Sequence, residues 1–187
     1  MFKNLALLVL FVVAASADAH APQSPQQVYC GEIPSQIYGC LGMPQIISNS
    51  IARRCKKVTN SCDKMTCLFR ESGWLNAGVV DQPKVTQYLD EFFKEHEAWA
   101  AVAQPAKACV TTALPPQGIF FNCPAYDVMM CILTAFIKGA QPSQWPAESC
   151  AYAKDYAGAC PVCPSECFAP SVPTGSCNAC LSLPRSP

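Results

Sequence analysis

The chain has 187 residues, with 13 lysines and arginines against 13 aspartates and glutamates, so its formal net charge is zero. No basic stripe steers it onto nucleic acid, which excludes that class of partner. Hydrophobic residues make up 51% and charged ones 14%, enough apolar material for a sizeable core, and fourteen cysteines run through it.

The first element is "MFKNLALLVLFVVAASADA". Lys3, an apolar run from Leu5 to Ala15, and small residues at Ala17 and Ala19 are the three parts of a secretory signal peptide over residues 1–19, with cleavage expected after Ala17 or Ala19. The run is too short to span about 30 Å of hydrocarbon, and no later stretch is long enough for a membrane span. The expectation is a soluble, secreted, extracellular protein. In that oxidising compartment an even set of cysteines, all between Cys30 and Cys180, reads as a framework of up to seven disulfides.

Helical periodicity follows, with no alternating strand pattern of useful length and no internal repeat. In "GMPQIISNSIARRCKKV", Pro44 suits a first helical position, and Ile47, Ile51, Cys55 and Val58 share one face. "NSCDKMTCLFRESG" starts at Asn60 or Ser61 and stops at Gly73. "VDQPKVTQYLDEFFKEHEAW" places Val85, Tyr88, Leu89, Phe92 and His96 on an apolar stripe, with Lys84, Gln87, Glu91, Lys94 and Glu95 opposite. Pro105 breaks or restarts the pattern, giving a helix around Pro105–Thr112 that carries Cys109. "NCPAYDVMMCILTAFIKG" has Asn122 as cap, Pro124 in the first turn, Lys138 in the last and Gly139 as terminator. It is apolar nearly all round from Val128 to Ile137, which places it in the middle of the domain. "PAESCAYAKDYAGAC" makes a last, weaker helix. The fold class expected is all-α: a disulfide-stapled bundle of about six to eight short helices over residues 20–160, with an irregular extension at 161–187.

The end of the chain, from Cys160 onward, holds two Cys-x-x-Cys pairs, Cys160/Cys163 and Cys177/Cys180. Four thiolates so spaced suit tetrahedral zinc, but in a secreted chain disulfides are the expected use, and Pro161, Pro164, Pro170 and Pro173 fit a stapled loop. No metal and no cofactor is expected.

Little in the chain suggests catalysis. His20 sits at the cleavage junction and His96 at the end of an amphipathic helix. Secreted phospholipases share the small, helical, cysteine-rich character but need a His-Asp step beside adjacent cysteines, and neither occurs. No Gly-x-Ser-x-Gly elbow is present. Asp90, Glu91, Glu95 and Glu97 read as a solvated helix face, and no Asn-x-Ser/Thr sequon appears. An enzyme is not expected.

The stretches "SCDKMTCLFRESGWLNAGVVDQPKVTQYLDEFF" and "CPAYDVMMCILTAFIKG" resemble the insect odorant-binding proteins, secreted all-helical carriers of small apolar molecules. The resemblance covers roughly Cys40 to Cys160, and cysteines beyond the family's core six, with a long tail, resemble its plus-C subclass. It implies bridges Cys62–Cys123 and Cys109–Cys131, and an upstream partner for Cys67, for which Cys40 is preferred over Cys30 or Cys55. The remaining cysteines, Cys30, Cys55, Cys150, Cys160, Cys163, Cys167, Cys177 and Cys180, receive no partner from it. The spacings depart from the family's by one residue in each of the Cys62–Cys67 and Cys123–Cys131 gaps.

The functional expectation is a noncatalytic carrier of small hydrophobic ligands. A cavity costs about 24 cal/mol per Å3, and bridges between helices supply stability that offsets it. Expected pocket walls are Val85, Leu89 and Phe92 on one helix, Trp99 beyond it, Ile119 and Phe120 before the central helix, and Met129, Leu133 and Phe136 on it. Tyr88, Tyr126 and Thr134 are the candidates to meet a ligand's polar group. Burying roughly 350 Å2 of apolar ligand surface gives about 9 kcal/mol gross, which association costs reduce to micromolar affinity. A pH-dependent affinity through His96 is a further expectation. Partners are thus a small hydrophobic molecule, with a receptor or a second copy of the chain as further candidates. The rival reading is a secreted disulfide-rich structural or defence protein acting through protein contacts.

Overall fold

The computed structural model describes residues 36–111, 114, 123–145, 148–160 and 162. The expected signal peptide, His20, Cys30, Ile119, Phe120, Asn122 and the tail cysteines Cys163, Cys167, Cys177 and Cys180 lie outside the described residues. Among the described residues, seven α-helices make the body: α1 (Gln36–Cys40), α2 (Asn49–Arg54), α3 (Ser61–Glu71), α4 (Gln82–Glu95), α5 (Ala103–Thr111), α6 (Pro124–Gly139) and α7 (Ala151–Ala159). Short 3-10 turns at Glu97–Val102, Pro142–Gln144 and Glu148–Cys150 link them. The protein is mostly helical, as its periodicity implies.

The second helix differs from expectation. It begins at Asn49 rather than at Pro44, because the Ser48 hydroxyl accepts the Ile51 backbone N–H and caps the helix there. Even so, the apolar face read from the sequence holds: Ile47, Ile51 and Val58 pack around a small cluster of Cys55, Cys67 and Leu68. α3 starts where Asn60 accepts the Asp63 N–H at 3.1 Å.

Between α3 and α4 lies a two-stranded antiparallel hairpin, β1 (Leu75–Asn76) and β2 (Val79–Val80), which period-2 patterning is too short to reveal. Its two turn residues, Ala77 (φ 49°) and Gly78 (φ 83°), both have positive φ, the backbone of a type I′ turn. Asp81 then caps α4, accepting the Lys84 N–H at 3.2 Å, and Pro83 occupies the first turn, where its missing N–H costs nothing. In α5, likewise, Pro105 sits inside the first turn of a helix that begins at Ala103.

Apart from the small Cys55, Cys67 and Leu68 cluster, the buried faces meet in one main core. α6 contributes Val128, Met129, Ile132 and Phe136; α4 contributes Val85, Leu89, Phe92 and Phe93; Trp99 and Val102 come from the 3-10 turn between α4 and α5. α6 packs against α3, α5 and α7, the central position its all-round hydrophobicity requires. On the opposite side of α4, Lys84, Gln87, Glu91, Lys94 and Glu95 are exposed.

Four disulfides join described residues. Cys62–Cys123 ties α3 to the start of α6, and Cys109–Cys131 ties α5 to α6. These are two pairings the resemblance implies. The expected Cys40–Cys67 bridge is corrected: Cys67 bonds Cys55, and Cys40 bonds Cys150. The reason is packing. The shared face of α2 and α3 brings Cys55 within 5.9 Å of Cys67, Cα to Cα, whereas α1 packs against α7 and carries Cys40 to within 5.5 Å of Cys150.

Candidate functional site

A capping motif sets one wall of the site. After α3, the Gly73 N–H donates to the Arg70 carbonyl and the Trp74 N–H donates to the Phe69 carbonyl at 2.8 Å. With Gly73 at φ 74°, this is a Schellman ending, which turns the chain back along the helix it has left. Trp74 therefore folds onto Phe69, ring edge to ring face, with centroids 5.2 Å apart. On its other side Trp74 meets Tyr88 of α4, centroids 4.8 Å apart.

Tyr88 joins this wall to the segment before α2. Its hydroxyl donates to the Ile46 carbonyl at 2.6 Å. Burial, and secondarily the charge of Glu95, raises the phenol's pKa above its ordinary value, so it remains a donor throughout the physiological range.

Between these parts opens a cleft of about 140 Å3, lined by Ile46, Ile47, Ser48, Ile51, Ser72, Trp74 and Tyr88. No charged side chain lines it. Of its three hydroxyls, Tyr88 is engaged by Ile46, and Ser48 meets both the Ile51 N–H and the Ser50 hydroxyl at 2.9 Å. The third, Ser72 Oγ, is buried with no hydrogen-bond partner. A buried hydroxyl left so costs about 1–3 kcal/mol, and such a group calls for a reason.

The residues expected from sequence fall into two places. Tyr88 lines the cleft. Val85, Leu89, Phe92, Trp99, Met129 and Phe136 belong to the core, with Leu133 half-buried against it. Their rings touch one another: Phe92 and Trp99 each contact Phe136, and Phe92 lies 5.9 Å from Tyr88, so an unbroken run of aromatic rings leads inward from the cleft. Of the expected polar partners, Thr134 donates back to the Met130 carbonyl at 2.9 Å, and Tyr126 is half-buried, its pKa raised by burial and then by Asp127. The His96 ring sits on Phe92, centroids 4.4 Å apart, at the end of α4.

Five cleft residues, Ile46, Ile47, Ile51, Ser72 and Trp74, are not legible as a site from periodicity alone. Ile47 and Ile51 read as part of the apolar face of a helix, shared with Cys55 and Val58, and Ile46 as no part of it. Trp74 follows a helix-stopping glycine, the position where an apolar residue characteristically packs back on the last turn. Ser72 reads as an ordinary loop serine. That these meet depends on a chain crossing that no local pattern encodes.

Cys160 is disulfide-bonded, so it is not available as a thiolate for a four-cysteine metal site. Among the described residues no group of three or more His, Cys, Asp or Glu side chains comes together to hold a metal, and no helix is long and apolar enough to cross a membrane. Asp90, read as part of a solvated face, pairs with Lys107 of α5 at 2.9 Å.

A scan of protein-family models and searches of curated proteins and solved structures find no match to the chain.

Proposed function

We propose that this chain is a secreted, noncatalytic carrier of small hydrophobic molecules, related in plan to the plus-C odorant-binding proteins it resembles. The observation that carries the reading is the cleft: an uncharged recess walled by three isoleucines, a tryptophan and a tyrosine on a body held by cross-links. Two of those cross-links, Cys62–Cys123 and Cys109–Cys131, coincide with the family's linkage, which favours the resemblance.

Size decides what such a site takes. Pockets for drug-sized ligands run to roughly 300–1,000 Å3, whereas a cavity of about 150 Å3 accommodates benzene. At about 140 Å3 the cleft suits one ring or a short chain. A ligand that small gains less than the 350 Å2 considered from sequence, so dissociation constants of roughly 0.1–1 mM follow unless the guest also reaches the rings behind Tyr88.

The test is displacement of a lipophilic fluorescent probe from the purified, oxidised protein. Saturable binding, reversed by small neutral alcohols or esters, is the expected result. Weak partition that never saturates would rule out the carrier and favour a structural role.

A further inference from the structure

We infer that the cleft is selective for neutral, single-ring or short-chain molecules bearing one oxygen, and that the Ser72 hydroxyl is the group that binds that oxygen. The inference rests on the carrier reading and names its ligand class. Three observations converge on it.

The volume admits a benzene-sized body and little more. The lining contains no Lys, Arg, His, Asp or Glu, so a carboxylate or an ammonium would lose its hydration and find no counter-charge. That disfavours fatty acids and amines and leaves alcohols, carbonyl compounds and hydrocarbons.

The hydroxyls separate these last three. Tyr88 and Ser48 are already engaged by protein partners, and Ser72 Oγ is not. In the empty protein Ser72 Oγ is shielded from the cleft, so meeting a guest requires the side chain to turn to another of its three staggered rotamers, where its hydroxyl can both donate and accept. The usual way for a serine at a helix end to satisfy itself is to bond the carbonyl four residues back. Here the Leu68 carbonyl is met by the Ser72 N–H at 3.0 Å, and the hydroxyl does not add to it. A hydrocarbon would leave Ser72 unpartnered; an alcohol or carbonyl oxygen would complete it.

The experiment compares benzyl alcohol with ethylbenzene, near-isosteres that differ in one oxygen, and with benzoate. Titrations of the full oxidised protein are followed by NMR at the Trp74 indole and the isoleucine methyls. Three chains are used: wild type, Ser72→Ala, and Ile51→Trp, which fills the cleft. Ser72 Oγ makes no hydrogen bond within the protein, so Ser72→Ala removes no internal contact of that kind.

The expected pattern is a roughly fivefold loss of benzyl alcohol affinity in Ser72→Ala, with ethylbenzene unchanged or tightened. Both should be lost in Ile51→Trp, and benzoate should bind at least tenfold more weakly than benzyl alcohol. Equal effects of Ser72→Ala on both neutral ligands, or benzoate binding as tight as benzyl alcohol, would overturn the inference. If both ligands still bind Ile51→Trp, the site lies elsewhere: the inference falls and the carrier reading stands. If neither binds wild type, the lipophilic probe decides between them, since saturable probe binding sinks only this inference and its absence sinks both.

Discussion

Ala77 occupies a position that disfavours it. In a type I′ turn both central residues need positive φ, which costs a residue with a Cβ about 1 kcal/mol or more; asparagine tolerates it best among side-chain-bearing residues. Ala77→Asn, creating the favoured Asn-Gly turn with Gly78, should raise the protein's thermal midpoint, measured by circular dichroism, without altering the cleft. Asp81 shows a different dependence. Hydrogen bonds from Lys84, first its side chain and then its backbone N–H, hold the Asp81 carboxyl below the usual carboxylate range. A depressed folded-state pKa means the contribution is present above the unfolded value and is lost as pH falls through the folded one. Asp81→Asn keeps a capping oxygen but carries no charge. The stability advantage of wild type over Asp81→Asn should therefore be present at neutral pH and disappear on acidification below about pH 4, in paired denaturant titrations. An advantage independent of pH would show that the ion pair with Lys84 does nothing.

At the scale of elements, Gly139 ends α6 for a reason the sequence could not supply. A helix terminator is ordinarily a glycine freed to take positive φ, yet Gly139 is itself the last helical residue, and a Cβ there would stand 2.9 Å from Val102 Cγ2. Val102 is 1% exposed and β-branched, so its room to retreat by rotation is restricted. The glycine permits close approach of α6 to the 3-10 turn. Alanine would gain helix propensity, worth at most about 1 kcal/mol, but overpacking costs typically 1–3 kcal/mol. Gly139→Ala should destabilise by about 1–2 kcal/mol, and the double variant with Val102→Ala should be less destabilised than the two single costs together. Simple additivity would mean the two side chains do not interfere.

At the scale of the whole molecule, three of the cross-links among the described residues form a connected chain. Cys55–Cys67, Cys62–Cys123 and Cys109–Cys131 link α2, α3, α6 and α5, while Cys40–Cys150 fastens α1 to the start of α7. α4 contains no cysteine and is held by packing, through Val85, Leu89, Phe92 and Phe93, and it supplies the Tyr88 wall of the cleft. A bridge stabilises mainly by restricting the unfolded chain, more for longer loops. Cys40–Cys150 spans 110 residues, though the Cys62–Cys123 bridge shortens the effective loop to about half that, whereas Cys55–Cys67 spans 12. Replacing the first pair by alanines should cost about 4 kcal/mol and replacing the second about 3 kcal/mol, measured by guanidinium unfolding of otherwise oxidised protein. A reversed order would show that native packing around Cys55 and Cys67, not loop closure, sets their worth.

Local pattern alone determined that this protein is helical, where α3, α4 and α6 run, which face of α4 meets water, and that α6 is central. Those features follow from periods and caps within a few residues: Asn60 and Asp81 accept the N–H groups three positions on, and the stripe of Val85, Leu89 and Phe92 has nowhere to go but inward. Tertiary structure decided what depends on distant segments meeting. It paired Cys67 with Cys55 and Cys40 with Cys150, ended α6 against Val102, and brought Ile46 across to Tyr88 to close a cleft beside Ser72. Helix formation is governed by neighbours three and four residues away, whereas a bridge or a binding site needs two surfaces to pack, and only the folded chain specifies which.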